Sequence, residues 1–165
     1  MLENQVNLIY LGIGSNLGDK KKNIEKAKFE LVQNSIDILK SSKYYESLSW
    51  PNPNNPTFLN IVLEVSTRLT SLELIKLCKN IEIFLGRKKS LKNSPRSCDI
   101  DIIDYKMKIK KDDIILPHPR MHSRNFVLLP LFELNKNWIH PITKLHIKKL
   151  ILSLSNKDIR TIKQI

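Results

Sequence analysis

The sequence predicts an α+β fold in which an antiparallel sheet carries two helices, and the order of its elements supports this prediction. Alternating apolar residues mark strands, because strand side chains alternate between two faces, whereas apolar residues three or four apart mark helices. The chain then runs strand, helix, strand, strand, helix, strand, followed by irregular segments. This order is typical of the ferredoxin-like split βαβ arrangement, with helices on one face of the sheet. We therefore expect one domain over residues 1–165, with a βαββαβ core and a C-terminal extension.

The first strand and the first helix meet at a turn that contains three glycines. Residues 6–13 form an apolar run, which predicts a buried strand, and the glycines lie in residues 12–19. Their spacing matches neither the dinucleotide-binding fingerprint nor the phosphate loop. We interpret the segment as a tight turn with Asp19 as the N-cap of a helix, in which Ala27 and Leu31 belong to the apolar stripe.

The middle of the chain predicts two strands on either side of a proline-rich loop. Residues 36–48 alternate imperfectly and are interpreted as the second strand, whereas residues 58–69 alternate cleanly. Phe58 and Asn60 share the face of this third strand that lies opposite its main apolar face. The proline-rich loop, residues 50–56, contains three prolines and three asparagines. This composition is typical of a mobile surface loop.

A capping box opens the second helix, because Thr70 is followed three residues later by Glu73. The apolar stripe of this helix includes Cys78, which we expect in the core, and Gly86 ends the helix. The basic loop, residues 87–93, then leads into the next strand. Such a charged run is either a solvated surface or a phosphate-binding segment, and the sequence leaves both interpretations open.

The strand after the basic loop carries two acids separated by one apolar residue. Asp99 and Asp101 fall on one face because strand side chains alternate, and two residues of rise put their backbones roughly 6.5–7 Å apart. Hard cations such as Mg²⁺ bind one or two carboxylates together with water and phosphate oxygens. Arg96 lies just upstream, where it would meet a phosphate on such an ion. The alternative is a half-exposed strand whose acids face water.

The remaining chain predicts a rigid loop followed by two helices. His118 is held between two prolines, which restrict its backbone. Residues 127–134 are apolar and predict a helix that Pro130 breaks, and residues 147–154 predict a last amphipathic helix. Trp138 is expected to pack in the core.

The composition limits the class of protein. Hydrophobic residues make up 41% of the chain and charged residues 27%, as in a soluble globular domain. Two cysteines build no disulfide framework, no apolar run approaches the roughly 18 residues of a membrane span, and no signal-peptide pattern is visible, so we expect a cytoplasmic protein. The net charge of +12 favours a nucleotide or nucleic acid as partner, although abundant Lys, Ile and Asn also fit a compositional bias.

Several blocks of residues between positions 8 and 133 resemble one family, the 6-hydroxymethyl-7,8-dihydropterin pyrophosphokinases of folate biosynthesis. The blocks are Gly14-Ser15-Asn16-Leu17-Gly18, Phe58-Leu59-Asn60, Glu82 with Gly86-Arg87, Pro95-Arg96 with Asp99-Ile100-Asp101-Ile102, and Pro117-His118-Pro119 with Arg124-Asn125-Phe126-Val127-Leu128 and Pro130-Leu131. The resemblance implies transfer of pyrophosphate from ATP to the hydroxymethyl oxygen of 6-hydroxymethyl-7,8-dihydropterin, with release of AMP.

The same resemblance implies a role for each matched position. The implied roles are phosphate-clamping catalytic residues at Arg87 and Arg96, ligands of two Mg²⁺ ions at Asp99 and Asp101, ATP-binding residues at Glu82, Ile102, His118 and Arg124, and pterin-binding residues at Ser47, Phe58, Asn60 and Phe126. Glu82 and Ile102 match the adenosine pocket, and the two phenylalanines match rings that sandwich the pterin. The implied partners are ATP and the pterin, with no nucleic acid and no membrane, and we expect a monomer.

The chain departs from that family in its loops. The segment 87–95 is one residue shorter, Asn93 stands where a tryptophan often occurs, and Lys79 stands where an adenine-contacting glutamine can occur. The competing interpretation is a basic ferredoxin-like nucleic-acid-binding module. The sequence lacks the aromatic signature of RNA-recognition domains, and acids on the sheet would repel a phosphate backbone. A relative that binds ATP or pterin without turnover is the third interpretation.

Overall fold

The structure is a computed structural model that describes residues 7–165. Its strands are β1 (Ile9–Ser15), β2 (Asp37–Ser41), β3 (Tyr45–Ser47), β4 (Phe58–Ser66), β5 (Asp99–Tyr105), β6 (Lys110–Lys111), β7 (Ile115–Leu116) and β8 (Lys163–Gln164). Its helices are α1 (Lys20–Gln33), α2 (Ser71–Phe84), α3 (Asn125–Leu134), α4 (Ile147–Leu152) and α5 (Asn156–Arg160), with a 3₁₀ turn at Met121–Ser123. The first residue of the predicted first strand, Val6, lies outside the described residues.

Six strands form one antiparallel sheet in the order β5-β1-β4-β3-β8, with β2 also paired to β4. The central strand β1 pairs with β4 on one side and β5 on the other, so Gly14 lies between Asn60 and Asp99. Strands β6 and β7 form a separate hairpin. The core order β5-β1-β4 followed by β2 and β3 is the ferredoxin-like order, which confirms the predicted fold class.

The single strand predicted over residues 36–48 is instead two strands that pair with successive halves of β4. β2 ends where Ser41 pairs with Leu63, and β3 begins where Tyr45 pairs with Asn60. Between them, the Ser42 hydroxyl accepts the hydrogen bond of the Val62 N–H at 2.9 Å. A side-chain oxygen therefore takes the place of a ladder carbonyl. Periodicity does not reveal this exchange, and the one-strand prediction was wrong.

The helices α1 and α2 cover one face of the sheet. Their buried apolar residues are Ile24, Ala27 and Leu31 in α1 and Leu74, Cys78 and Ile81 in α2. The predicted caps are present: the Asp19 carboxylate accepts a hydrogen bond from the Lys22 N–H at 3.0 Å, and Thr70 forms the capping box with Glu73. These local signals confirm how both core helices begin.

The C-terminal extension covers the opposite face of the sheet, which the prediction of helices on one face did not include. Tyr10, Val62 and Ile103 project from the sheet into a second core with Leu128 and Trp138. The Trp138 indole N–H donates to Asp104 Oδ2 at 2.9 Å, and its ring is fully buried, so this residue packs as expected. No helix within residues 7–165 has the combination of length and apolarity that crossing a bilayer requires.

The extension differs from its prediction in two respects. α3 continues through Pro130 instead of breaking there. The proline removes only one N–H hydrogen bond, and the buried side chains around it hold the helix on the sheet. The last predicted helix ends at Leu152 and is followed by α5 and by β8, in which Lys163 pairs with Glu46 of β3. The chain end thus extends the sheet at its β3 edge.

Candidate active site

A cavity of about 1040 Å³ opens where the N-terminal end of β4 and β5 meets the C-terminal end of β1. Its walls come from these strands, from the end of α2, from the proline-rich and basic loops and from residues 118–127. Gly14 forms part of the floor. A Cβ atom there would lie 3.2 Å from Asn60 Oδ1 and 3.3 Å from Phe58 Cδ1, so glycine leaves room for both side chains.

Asp99 and Asp101 both line this cavity, while Ile100 between them is buried in the core on the α1–α2 side of the sheet. Asp99 contacts two arginines: Arg87 Nη1 lies 3.1 Å from Asp99 Oδ1, and Arg96 Nη2 lies 3.3 Å from Asp99 Oδ2. The alternation of the strand thus presents both acids to the cavity, as the sequence predicted.

The contacts of Asp101 are longer and come from three cationic or basic side chains. Its Oδ2 lies 3.7 Å from His118 Nε2 and 3.9 Å from Arg124 Nη1, and its Oδ1 lies 3.9 Å from Lys79 Nζ. The three lysines of the basic loop also line the cavity, so cations outnumber acids there. Such an excess of positive charge suits a polyanionic ligand.

A buried carboxylate, that of Glu82, anchors two of these cations. Glu82 Oε1 accepts hydrogen bonds from Lys79 Nζ at 2.9 Å and from the Ile100 N–H at 2.7 Å, and Oε2 accepts one from Arg87. Burial acts to lower the pKa of Arg87, but the charges of Glu82 and Asp99 outweigh it and raise that pKa. Burial likewise opposes the charge of Lys79, and Glu82 raises the pKa of that ammonium group. Both side chains therefore stay charged.

His118 is oriented by the backbone beside it. Its Nδ1 accepts a hydrogen bond from the Arg120 N–H at 3.1 Å, so the neutral ring carries its proton on Nε2. Burial, together with the charges of Arg124 and Arg120, lowers the pKa of His118 despite the opposing effect of Asp101. At neutral pH the ring is uncharged, and Nε2–H is its hydrogen-bond donor on the side of Asp101.

Two aromatic rings in the cavity each lie next to an arginine. The guanidinium carbon of Arg96 is 5.6 Å from the centroid of the Phe58 ring, and that of Arg124 is 5.4 Å from the centroid of the Phe126 ring. Asn60, beside Phe58, donates from Nδ2 to Ser47 Oγ at 2.9 Å and to the Tyr45 carbonyl at 3.1 Å. These bonds fix the orientation of its amide, so Oδ1 and Nδ2 are not interchangeable.

Two of the twelve predicted site residues do not line the cavity with their side chains. Ser47 is buried directly behind Asn60, as described above. Ile102 is 3% exposed and lies in the α1–α2 core. Its side chain faces away from the cavity for the same reason that brings the acids together: Asp99, Asp101 and Ile103 share one face of β5. The place of Ile102 in an adenosine pocket stays a prediction.

Sequence reasoning missed further residues of the cavity. The guanidinium of Arg120 lies 5.7 Å from the centroid of the Trp50 ring and so links the proline-rich loop to the segment after His118. The position of Arg120, a basic residue directly after the Pro-His-Pro block, was the feature of the sequence that could have identified it. Lys157 of α5 also lines the cavity. It lies beyond the last helix that the sequence predicted, where no pattern marked a functional residue.

The acid pair has the donor chemistry that Mg²⁺ requires. Within the described part of the chain, no three His, Cys, Asp or Glu side chains form a cluster that could hold a metal ion. Mg²⁺ is ordinarily held by one or two carboxylates plus water and substrate phosphates rather than by an all-protein cage. Asp99 and Asp101, which face a cavity rich in cations, fit an ion of this kind that is bound together with a nucleotide.

The known sequences that this chain resembles are named as pterin pyrophosphokinases or as folic acid synthesis proteins. A family model described as 7,8-dihydro-6-hydroxymethylpterin-pyrophosphokinase matches residues 10–136. A 2-amino-4-hydroxy-6-hydroxymethyldihydropteridine pyrophosphokinase of Aquifex aeolicus is 40% identical over 142 residues, covering 86% of this chain and 88% of that protein. The folic acid synthesis protein FOL1 of Dictyostelium discoideum is 41% identical over 151 residues, which are 91% of this chain but 23% of that protein.

Solved structures share the fold at low sequence identity. Wild-type HPPK-DHPS of Plasmodium falciparum superimposes with a TM-score of 0.67 and 15% identity, covering 87% of this chain and 44% of that one. A variant of the same protein with pterin and p-hydroxybenzoate gives a TM-score of 0.71 and 14% identity over 96% of this chain and 47% of that one. The family model spans most of the described residues, and the Aquifex relative matches nearly end to end. The chain therefore belongs to the 7,8-dihydro-6-hydroxymethylpterin-pyrophosphokinase family.

Proposed function

We propose that this chain transfers pyrophosphate from ATP to the hydroxymethyl oxygen of 6-hydroxymethyl-7,8-dihydropterin in folate biosynthesis, producing AMP and the pterin diphosphate. Its family membership supports this activity. The observation that carries the proposal is one cavity that combines an acid pair, several cationic side chains, two aromatic rings and the oriented amide of Asn60. These are the groups required to bind a metal-bound triphosphate and a flat heterocycle next to each other.

The pterin end of the cavity is assigned to Phe58, Asn60 and Phe126. Aromatic rings favour offset stacking on flat ligands, and the carboxamide of Asn60 can donate to and accept from a pterin edge. Ser47 acts behind Asn60, because its hydroxyl accepts the amide hydrogen bond that orients it. Its side chain therefore supports the pterin site, while the backbone at Ser47 is the proposed direct contact with the pterin.

The nucleotide end is assigned to the charged side chains of α2, β5 and residues 118–124. Arg87 and Arg96 clamp the phosphates, since a guanidinium binds two oxygens at once in a fixed geometry. His118 and Arg124 contribute donors on the ATP side, next to Asp101. Glu82 holds Arg87 and Lys79 in place near the adenosine.

Asp99 and Asp101 would hold two Mg²⁺ ions together with the ATP phosphates. A bound metal pair neutralises phosphate charge and stabilises both the attacking and the leaving oxygen. The chain itself supplies positioning: the hydroxymethyl oxygen must lie in line with the β-phosphorus and with the bridging oxygen that leaves on AMP. Phosphoryl-type transfer depends mainly on such alignment and on charge stabilisation. The proline-rich and basic loops, which both line the cavity, would exclude water.

We further propose that residues 1–165 act as one monomeric domain in the cytoplasm, without a nucleic acid or membrane partner. Both cysteines are free and buried, which is consistent with a reducing compartment. Lysines and arginines outnumber acids among the residues that line the cavity, which supports a nucleotide as the polyanion. Size-exclusion chromatography with light scattering would test the monomer.

The direct test is the release of AMP from ATP and Mg²⁺ with and without 6-hydroxymethyl-7,8-dihydropterin. We expect AMP that depends on the pterin, in equal amount to the pterin diphosphate. Formation of ADP would indicate a different phosphoryl transfer and contradict the proposal. Binding of both substrates without turnover would instead identify a relative that has lost catalysis.

A further inference from the structure

Asn16, in the turn after β1, bonds through its backbone and side chain to a residue eighty positions away. Its backbone N–H donates to the Arg96 carbonyl at 3.1 Å, and its Oδ1 accepts a hydrogen bond from the Arg96 N–H at 2.8 Å. Two hydrogen bonds thus hold the backbone of Arg96 against the end of β1. The Arg96 side chain continues from this point to Asp99 and to the Phe58 ring.

The other end of the same amide bonds to the proline-rich loop. Asn16 Nδ2 donates to the Pro56 carbonyl at 3.2 Å, and it lies 3.5 Å from the hydroxyl of Ser49, the residue that directly precedes the loop. Pro56 is the last residue of the loop and Ser49 is the residue before its first, so a single side chain contacts the chain at both ends of the loop. Trp50 and Pro53, which line the cavity, lie between these two points.

Asn16 is 1% exposed, and both the oxygen and the nitrogen of its side-chain amide form hydrogen bonds. A buried polar group loses its full solvation, so each unsatisfied atom would destabilise this arrangement. The oxygen must accept from Arg96 and the nitrogen must donate to the loop. No other side chain of the same size meets both requirements, since an aspartate lacks the donor and a leucine lacks both.

We infer that Asn16 is a positioning residue that fixes the phosphate-clamping Arg96 and the proline-rich loop relative to each other. It does not line the cavity and acts only through these two segments. This inference rests on the proposed function of Arg96. Because alignment limits phosphoryl-type transfer, a small displacement between clamp and loop should reduce kcat more than it raises KM for either substrate.

A double-mutant cycle with Asn16→Ala and Arg96→Ala tests the inference. We expect Asn16→Ala to lower kcat/KM by about tenfold or more, but by about twofold or less once Arg96 is already alanine, because coupled residues are not additive. Equal losses in both backgrounds would overturn the link to Arg96. So would a loss confined to KM.

Asn23→Ala is the matched control. Asn23 lies in the first turn of α1 and donates to Ser15 Oγ at 3.2 Å and to the Leu17 carbonyl at 2.8 Å, so it bonds to the same strand-to-helix turn, but it contacts neither Arg96 nor the proline-rich loop by hydrogen bonds. We expect its kcat to change by less than about threefold, since its removal loosens the turn without loosening the clamp. A loss as large as that of Asn16→Ala would attribute the effect to the turn alone.

Asn16→Asp tests the bond to the loop separately from the bond to Arg96. Because aspartate has nearly the same shape as asparagine, this variant also provides a test if Asn16→Ala does not fold. It keeps the acceptor for the Arg96 N–H and loses the donor to the loop. Trp50 is 62% exposed and Trp138 is fully buried, so acrylamide quenching of fluorescence reports mainly on the loop. We expect a larger quenching constant in Asn16→Asp than in the wild-type chain or in Asn23→Ala.

An unchanged quenching constant in Asn16→Asp would overturn the link to the loop. This measurement needs no turnover, so it stays decisive if the wild-type chain releases no pterin-dependent AMP. In that case the proposed function fails, while the quenching experiment still shows whether Asn16 holds the loop.

Discussion

Asp99 and Asp101 differ in how tightly the chain holds them. Asp99 has two guanidinium groups within 3.3 Å, whereas the nearest cation or base to Asp101 lies at 3.7 Å. An acid whose contacts are long is free to take a metal ligand in their place. Removing the charge of Asp101 should therefore affect metal binding with little effect on the fold, while removing that of Asp99 should also loosen Arg87 and Arg96.

The first prediction concerns this difference. Asp101→Asn should lower Mg²⁺-dependent turnover by about a hundredfold or more, because a metal ligand is lost, while its thermal midpoint stays near that of the wild-type chain. Titration with Mn²⁺ in the presence of ATP, followed by electron paramagnetic resonance, measures the metal affinity directly. Asp99→Asn, as the comparison, should lower both turnover and thermal midpoint. Near-normal turnover of Asp101→Asn at saturating Mg²⁺ would contradict the metal assignment.

A second prediction at this scale concerns Phe126. Phe126→Ala should weaken pterin binding by about 1–3 kcal/mol, because stacking and apolar burial are lost together. Calorimetry with the pterin measures the change, and Phe126→Leu is the matched control because it keeps apolar volume without an aromatic face. A pterin affinity that is the same in all three chains would remove Phe126 from the site.

At the scale of elements, α2 begins at a capping box and delivers Lys79 and Glu82 to the cavity from its C-terminal half. Thr70→Ala should lower the free energy of unfolding by about 1 kcal/mol, since the N-cap hydroxyl no longer accepts the Glu73 N–H. Thr70→Ser keeps that hydroxyl and should remain near wild type. Urea denaturation measures both, and kcat at 25 °C should not change because the cap lies more than two helical turns from Lys79. A loss of kcat without a loss of stability would contradict this account.

The core elements could be predicted from the sequence because their signals are local. Asp19, Thr70 and the alternation around Asp101 each depend on residues within a few positions, and the structure agrees with all three. The break at Ser42 and the pairing of β8 with β3 depend instead on residues that are distant in sequence. No periodicity encodes such contacts.

Some features of the candidate site could likewise be predicted from the sequence, whereas others depend on contacts between distant residues. Ten of the twelve residues that the resemblance indicated line the cavity with their side chains, which leaves their individual roles as predictions. The alternation of β5 turns the Ile102 side chain into the core, and the role of this residue at the adenosine stays a prediction. Asn16 was part of a quoted motif, but only the folded chain brings its amide to Arg96 and Pro56.

At the scale of the whole molecule, both faces of the sheet are covered, and His140 lies in the segment that covers the second face. Its Nδ1 accepts hydrogen bonds from the Ile142 and Thr143 N–H groups, each at 3.2 Å, and its ring packs edge-on against Trp138. Burial, with a smaller effect of His122, lowers the pKa of His140 below its ordinary value of 6.5. The folded state therefore favours the neutral ring.

This shift gives stability a defined pH dependence. Above about pH 6.5 the ring is neutral in both states, and its contribution to stability is complete. As the pH falls through the lower folded-state pKa, the unfolded chain binds the proton first and that contribution is lost. His140→Asn keeps an acceptor for the two N–H groups and does not titrate. Urea denaturation between pH 5 and 8 should show a smaller acid loss in this variant than in the wild-type chain, and parallel curves would contradict the prediction.

The layer formed by α2 and β5 contains both cysteines of the chain, Cys78 on the helix and Cys98 just before the strand, each fully buried. Burial raises the pKa of both thiols to about 12, so neither reacts while this layer is closed. Alkylation in native buffer would therefore proceed only as fast as the helix lifts from the sheet. The alkylation rates of the two thiols therefore measure how often α2 separates from β5. Comparing these rates with and without ATP would show whether the ligand slows that separation.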